Sequence, residues 1–201
     1  MQWFKTALFV LCLVPMARLG VLAYSDGLGA NPIEFIIRSL GTWALTLLLV
    51  TLAVTPLRRL TGWNAIMRLR RLLGLYAFFY ACLHFLFYFG VDQFFDFSAI
   101  LEDIVKRPFI TVGVLCLLLL IPLAVTSTNA MQRRLGGKRW QLLHRLVYLI
   151  AAGGVLHYFW LVKKDITQPA IYALVLFVLL GLRVFWKYSA AASARVSRPP
   201  V

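Results

Sequence analysis

Residues 140–160 read Trp140-Gln-Leu-Leu-His-Arg-Leu-Val-Tyr-Leu-Ile-Ala-Ala-Gly-Gly-Val-Leu-His-Tyr-Phe-Trp160, a run long and apolar enough to cross a membrane as a helix. It carries His144 and His157, two of the three histidines in the chain. The third, His84, lies in a similar run at 72–90. Ionisable side chains are costly inside hydrocarbon, so histidines placed there indicate a functional site, and heme ligation is the first hypothesis.

The composition predicts an all-α membrane protein. Of the 201 residues, 62% are hydrophobic and only 14% are charged, whereas globular chains carry about 25% charged residues. Apolar runs of the ~20 residues that a helix needs to span a bilayer recur along the sequence. They predict a polytopic bundle of six transmembrane helices at 6–24, 39–55, 72–90, 109–126, 141–162 and 169–186. We expect the first to be a retained helix rather than a cleaved signal peptide, because Arg18 interrupts its apolar run.

The net charge of +14 reflects topology and does not indicate a nucleic-acid partner, because the basic residues cluster between the apolar runs. If both termini are cytoplasmic, thirteen Lys and Arg residues fall on the cytoplasmic side and five on the opposite side. All seven acidic residues fall on that opposite side. Cytoplasmic loops are enriched in Lys and Arg, so the asymmetry predicts that both termini are cytoplasmic.

The segments between the spans are expected to be irregular. Glu34 and Arg38 are placed in the loop before the second span, and Pro56 is expected to end that span. Residues 91–108 form an acidic outer loop, which could dock a partner but is more simply explained as a solvated loop. Residues 189–201 are expected to be a disordered cytoplasmic tail. No internal repeat is visible in the sequence.

Helix geometry places two of the histidines at one depth. His84 lies ~18 Å along its helix from the cytoplasmic end, and His157 lies ~22 Å along its own. Two imidazoles from neighbouring helices at matched depth are what bis-histidine ligation of one heme requires. The alternative, a hydrogen-bonded packing role, is less favoured for the pair than for a single histidine. The aromatic residues around both could wall a porphyrin or simply pack.

His144 lies at a different depth in the membrane from His84 and His157. It precedes His157 by about 20 Å along the helix axis, so the two cannot serve the same iron. A second heme could stack near the cytoplasmic face, where Arg70 faces His144 from the third helix. Arginine is an unusual iron ligand, so this inner site is either weakly held, ligated otherwise, or holds something else. An ideal helix turns His157 by about 140° from His144, and a distortion at Gly153-Gly154 could bring them to one face. As a single histidine, His144 is equally well explained by packing.

Several short motifs, spread over nearly the whole chain, together carry a family resemblance. They are Asn31-Pro-Ile-Glu-Phe-Ile, Leu-Ala-Val-Thr-Pro56-Leu-Arg-Arg59, Arg70-Arg-Leu-Leu-Gly-Leu-Tyr76, Cys82-Leu-His84, Lys106-Arg-Pro-Phe-Ile-Thr111, Leu142-Leu-His144-Arg-Leu-Val-Tyr148 and His157-Tyr158. The set resembles the MsrQ family, formerly called YedZ, the heme-binding membrane subunits of bacterial periplasmic methionine sulfoxide reductase systems. That family is part of the ferric-reductase-like transmembrane group, which also contains the membrane part of NADPH oxidases.

The resemblance implies that residues 1–188 are a ferric-reductase-like heme-binding domain of the bacterial inner membrane. It implies b-type heme, one or two per chain, and a flavin mononucleotide (FMN) whose position no local motif reveals. The partner implied is a periplasmic, molybdopterin-containing reductase that repairs oxidised methionines. The family's three histidines match His84, His144 and His157, which take the ligand role. The oxidases bring two histidines from each of two helices, and here Arg70 replaces one of them, so it is counted with the cofactor-binding residues.

The sequence therefore favours a cytochrome b that conducts electrons across the membrane and leaves catalysis to its partner. Electrons would come from a cytoplasmic flavin reductase or from quinol, because the chain holds no G-x-G-x-x-G dinucleotide motif. A transporter is the rival hypothesis, but it predicts acidic residues within the spans, and all seven acids lie outside them. A structural anchor is the third hypothesis, and it would leave the intramembrane histidines without a role.

Overall fold

The computed structural model describes residues 2–162 and 164–196, with side chains through residue 189. Its helices, in chain order, are α1 (Gln2–Tyr24), α2 (Pro32–Thr61), α3 (Arg70–Phe87), α4 (Phe97–Lys106), α5 (Pro108–Val125), α6 (Asn129–Leu135), α7 (Gly137–His144), α8 (Leu146–Leu161) and α9 (Thr167–Val196). A 3₁₀ helix at Asn64–Leu69 leads into α3, and a π-helical turn at Tyr88–Asp92 follows it. These described residues contain no β-strand.

Among the described residues, six helical segments are long and apolar enough to cross a membrane, which confirms the predicted all-α, six-span architecture. They are α1, α2, Asn64–Asp92, α5, Gly137–Leu161 and Thr167–Ser189. Successive spans cross the membrane in opposite directions, so segments 25–31 and 93–107, together with residues 162 and 164–166, lie on one side of the membrane. The acidic residues lie in these segments or within one helical turn of them. We call this the acidic side, and the opposite side the basic side.

The start of α2 differs from the sequence prediction. Asn31 caps the helix by accepting a hydrogen bond from the Glu34 N–H at 3.3 Å, and Pro32 occupies the first helical position, where its missing N–H costs nothing. Glu34 and Arg38, expected in a loop, therefore lie on the first turns of α2 and form an ion pair.

Pro56 lies inside α2, so the prediction that it ends the helix is wrong. A proline has no N–H, and the Leu52 carbonyl therefore loses its helical donor. Arg183 of α9 replaces that donor: its Nη2 donates to the Leu52 carbonyl at 2.6 Å, and its Nη1 donates to the Tyr148 hydroxyl of α8 at 2.9 Å. The helix continues past the proline, and a side chain from another span satisfies the freed carbonyl.

The core lies between α2 and α3 and between α5 and α8, the two pairs that pack most extensively. Tyr80 of α3 is 0% exposed, and its hydroxyl donates to the Cys12 carbonyl of α1 at 2.7 Å. Tyr76, one turn earlier, donates to the Phe9 carbonyl at 3.1 Å. These two bonds fix α1 to the centre of the bundle.

The predicted fifth span consists of two helices, α7 and α8, separated at Arg145 directly after His144. The distortion expected at Gly153-Gly154 is wrong, because both glycines lie within the regular part of α8. Gly153 instead allows close helix packing: a Cβ there would lie 2.5 Å from the Cys116 Sγ of α5.

The segments predicted to be irregular contain further helix. The acidic loop includes α4, and α9 continues to Val196, through part of the predicted tail. Residues 197–201 of that tail lie outside the described residues.

Candidate cofactor site

His84 of α3 and His157 of α8 face each other across a cavity inside the bundle. Their ring centres are 6.1 Å apart and their ring planes are inclined at 81°, so the predicted matched depth is confirmed. An imidazole nitrogen binds a metal ion at ~2.0–2.1 Å and lies ~1.1 Å from its own ring centre. Two imidazoles whose nitrogens point at one ion from opposite sides therefore have centres ~6.2–6.4 Å apart. The observed spacing fits one metal ion between the two rings.

Each imidazole is oriented by a main-chain carbonyl. His84 Nδ1 lies 2.8 Å from the Ile37 carbonyl oxygen of α2, and His157 Nδ1 lies 2.6 Å from the Phe109 carbonyl oxygen of α5. A carbonyl can only accept, so each Nδ1 carries a hydrogen, and in the neutral imidazole Nε2 then keeps its lone pair. A hydrogen bond at the far nitrogen is how proteins orient ligating imidazoles. Both rings therefore hold the tautomer in which Nε2 can ligate a metal.

A glycine gives each imidazole access to its carbonyl. In an α-helix, residue i+4 lies one turn beyond the carbonyl of residue i, and the residues at that position are Gly41 in α2 and Gly113 in α5. A Cβ on Gly41 would lie 3.0 Å from Nδ1 and Cε1 of His84, and a Cβ on Gly113 would lie 3.0 Å from the same atoms of His157. The site is thus built from two equivalent units, each with a carbonyl, a glycine and a histidine from the neighbouring helix.

The cavity has a volume of about 380 Å³ and is lined mostly by apolar side chains of α2, α3, α5 and α8. Four charged side chains line it near the acidic side: Glu34, Arg38, Asp92 and Arg107. Within residues 2–162 and 164–196, no group of three or more His, Cys, Asp and Glu side chains could hold a metal ion. Two protein ligands suit an ion whose remaining ligands come from a macrocycle, as in heme.

His144 and Arg70 do not line this cavity. The His144 ring stacks on Trp140, with ring centres 4.0 Å apart, and its Nε2 lies 3.1 Å from the Thr126 Oγ1. Because the Thr126 hydroxyl donates to the Pro122 carbonyl at 2.6 Å, it accepts from His144 Nε2–H. Arg70 is an electrostatic neighbour of His144. The structure therefore brings together two of the three predicted histidines and packs the third in a separate hydrogen-bonded cluster.

Sequence reasoning missed the residues that orient the histidines. Ile37 and Phe109 contribute only carbonyl oxygens, which every residue has, so their side chains give no signal. The available signal was a glycine in each of two apolar helices, where glycine is unfavourable unless close approach requires it.

Comparisons with known proteins identify the family. Residues 40–155 match the family model described as ferric reductase like transmembrane component. A protein of Herminiimonas arsenicoxydans is 59% identical over 186 residues, which cover 92% of this chain and 85% of the relative. A protein of Ralstonia nicotianae is 56% identical over 195 residues, which cover 96% of this chain and 90% of the relative. Both relatives are named protein-methionine-sulfoxide reductase heme-binding subunit MsrQ. The chain therefore belongs to the MsrQ family, within the ferric-reductase-like transmembrane group, and is a multi-pass bacterial membrane protein.

Proposed function

We propose that the chain is the heme-binding, electron-transferring membrane subunit of a periplasmic methionine sulfoxide reductase system. The observation that carries the proposal is the His84–His157 pair, with rings 6.1 Å apart and both Nδ1 atoms held by carbonyls. Family membership supports an electron-transfer role in the membrane. When bound, a b-type heme supplies a one-electron carrier whose potential depends on its axial ligands and surroundings.

Different residues of the chain would bind different parts of the heme. His84 and His157 would ligate the iron through Nε2. Arg38 and Arg107, which line the same cavity near the acidic side, would bind the two carboxylates of a heme. Arginine has five N–H donors, so the ion pairs with Glu34 and Asp103 leave each guanidinium with further donors. The apolar lining would exclude water from the remainder of the site.

The charge asymmetry gives the proposed direction of transfer. With the basic side in the cytoplasm, electrons enter there from a flavin reductase or from quinol. They leave on the acidic side, toward which the His84–His157 cavity extends, to a molybdopterin-containing reductase that repairs oxidised periplasmic proteins. FMN is expected from the family resemblance. A second heme at His144, with Arg70 nearby, stays a prediction, and it requires His144 Nε2 to exchange its Thr126 hydrogen bond for iron.

The test is the reduced-minus-oxidised visible spectrum of the purified protein, expressed with adequate heme. We expect b-type Soret and α bands in the wild type. The bands of a heme at the His84–His157 site should be lost in His84→Ala and in His157→Ala, because each substitution removes one of the two imidazoles that would hold the iron. His144→Ala is the matched histidine control. It should keep the bands of the His84–His157 site, and any absorbance that it loses reports a second heme near His144. A colourless wild-type protein would contradict the proposal and favour a transporter or an anchor.

A further inference from the structure

The helix α4 carries an apolar face that the protein covers only in part. Its large apolar side chains occupy about 140° of the helix surface, and they are Phe97, Ile100, Leu101, Ile104 and Val105. Ile100 is 5% exposed, whereas Phe97, Leu101 and Val105 are 68%, 64% and 82% exposed. The exposed three recur every four residues, so they form one continuous stripe. We call it the α4 stripe.

The rest of the α4 surface is polar. It presents Ser98, Glu102, Asp103 and Lys106, and Lys106 forms an ion pair with Glu102 one turn earlier. A helix with cleanly separated apolar and charged faces is typical of one that lies at a boundary between water and an apolar phase.

The beginning of α4 is fixed to the end of the third span. Phe89 of the π-helical turn packs against Phe95 and Phe97, with ring centres 5.3 Å apart in both pairs. Phe94 and Phe95 have φ angles of 48° and 62°, in the left-handed region that non-glycine residues adopt at an energetic cost. The ring packing and a hydrogen bond from the Phe95 N–H to the Phe89 carbonyl at 3.0 Å fix Phe95 and the start of α4, so the direction of the α4 stripe is set.

The end of α4 is fixed as well. Asp103 accepts a hydrogen bond from the Tyr88 hydroxyl at 3.0 Å and pairs with Arg107 at 3.1 Å. The Thr111 hydroxyl of α5 donates to the Ile104 carbonyl. α4 is therefore a rigid part of the acidic side of the bundle.

The position of α4 in the chain keeps it at the membrane surface. The third span ends at Asp92 and α5 begins at Pro108, and the residues at 93–96 can reach at most ~14 Å. Leu86 of α3 and Leu115 of α5, which lie in the flanking spans, are also exposed. α4 packs on α5 and therefore lies between two spans that also expose large apolar side chains.

We propose that α4 is an interfacial helix that inserts Phe97, Leu101 and Val105 among the lipids on the acidic side of the membrane. Its occupant is the lipid surface because the stripe borders membrane-spanning helices, while Glu102 and Lys106 point away from it into water. Arg107 ends this helix and also lines the histidine cavity. The interfacial helix therefore holds the charged end of the cavity at the depth of the lipid headgroups.

Spin-label accessibility tests the proposal. A nitroxide is attached at Leu101→Cys in a chain with Cys12, Cys82 and Cys116 replaced by alanine, in nanodiscs of phosphatidylethanolamine and phosphatidylglycerol. Power-saturation electron paramagnetic resonance then compares collisions with oxygen, which partitions into lipid, and with a water-soluble nickel chelate. We expect an oxygen-to-nickel ratio severalfold higher than at Glu102→Cys, labelled in the same way on the polar face.

Leu118→Cys, exposed on α5, is the lipid-facing reference, and Val105→Cys is a second position on the α4 stripe. Each labelled protein must melt at the temperature of the unlabelled parent, so that misfolding cannot imitate a result. Nickel accessibility at position 101 equal to that at 102 would overturn the proposal in favour of a water-facing helix. Shielding from both reagents would overturn it in favour of a protein partner.

Discussion

At the scale of single residues, Gly41 and Gly113 control whether the histidines can reach their carbonyls. An alanine methyl at either position would lie 3.0 Å from the imidazole, so the ring must move or lose its hydrogen bond. We expect Gly41→Ala and Gly113→Ala each to reduce bound heme or shift the bis-histidine bands. The helices should remain, because alanine is a better helix former than glycine. The measurement is the ratio of Soret to protein absorbance.

Gly20 in α1 and Gly181 in α9 provide matched controls, because a Cβ at either would meet no atom within 4 Å. Gly20→Ala and Gly181→Ala should keep the wild-type spectrum and the wild-type melting temperature or a slightly higher one. Full heme content and unchanged bands in Gly41→Ala would show that the close contact does not position His84.

His84 and His157 were predictable because an ionisable residue stands out within an apolar run. Their acceptors were not, since the choice of carbonyl depends on how helices pack. The Ile37 carbonyl is 47 positions from His84, and the Phe109 carbonyl is 48 positions from His157. The sequence identifies the ligand candidates, and only the packed helices identify what orients them.

At the scale of elements, Pro56 couples α2 to α8 and α9 through Arg183. Arg183→Met should lower the free energy of unfolding by about 1–3 kcal/mol, because it leaves the Leu52 carbonyl without a donor. In a Pro56→Ala background, residue 56 has an N–H again and can donate to the Leu52 carbonyl. Arg183→Met should therefore lower the free energy of unfolding by less in that background. The measurement is a double-mutant cycle from unfolding of the four proteins in detergent.

Arg59 is a suitable control arginine, because it is exposed and stacks on the face of the Trp186 ring at 5.1 Å. Its charge lies near Arg183, but the hydrogen bond to the Leu52 carbonyl comes from Arg183. Arg59→Met should lower the free energy of unfolding by at most about 1 kcal/mol. The decrease should be the same whether residue 56 is proline or alanine. An Arg183→Met penalty that does not depend on residue 56 would contradict the coupling.

The elements that the sequence analysis missed have physical explanations. α4 has 10 residues, too few to appear in a search for spans of ~20 residues, although Asp96 and the spacing of Phe97, Leu101 and Val105 indicate a capped amphipathic helix. Pro56 removes one hydrogen bond of α2, and such a loss commonly kinks or ends a helix, but Arg183 donates to the freed Leu52 carbonyl. That donor is 131 positions from Leu52, beyond any local rule.

At the scale of the whole molecule, the distribution of charge predicts one orientation in the membrane. The charge asymmetry predicts that both termini are cytoplasmic. A green fluorescent protein fused after residue 201 should fluoresce, and alkaline phosphatase at the same position should be inactive. Phosphatase fused after residue 29, beyond α1, should be active. Active phosphatase at the C-terminal position would reverse the orientation and with it the proposed direction of electron transfer.

The number and type of spans were predictable because a hydrocarbon environment leaves few choices: each crossing needs ~20 apolar residues with internally satisfied hydrogen bonds. The boundaries were less predictable, since α2 and α9 extend beyond their apolar runs. The place of His144 was open for the same reason. It stacks on Trp140 within the short helix α7 and contacts Thr126, and the apolar pattern does not reveal that α7 ends there, directly before Arg145.

The carbonyls that hold His84 and His157 also bear on how such a site can change through mutation. A side-chain acceptor can be lost in one substitution, but a main-chain oxygen is present whichever amino acid occupies position 37 or 109. Substitutions at positions 37 and 109 can therefore change the packing of the helices while His84 and His157 keep the same tautomer. The vulnerable positions are Gly41 and Gly113, where the gain of a single methyl group would do the damage.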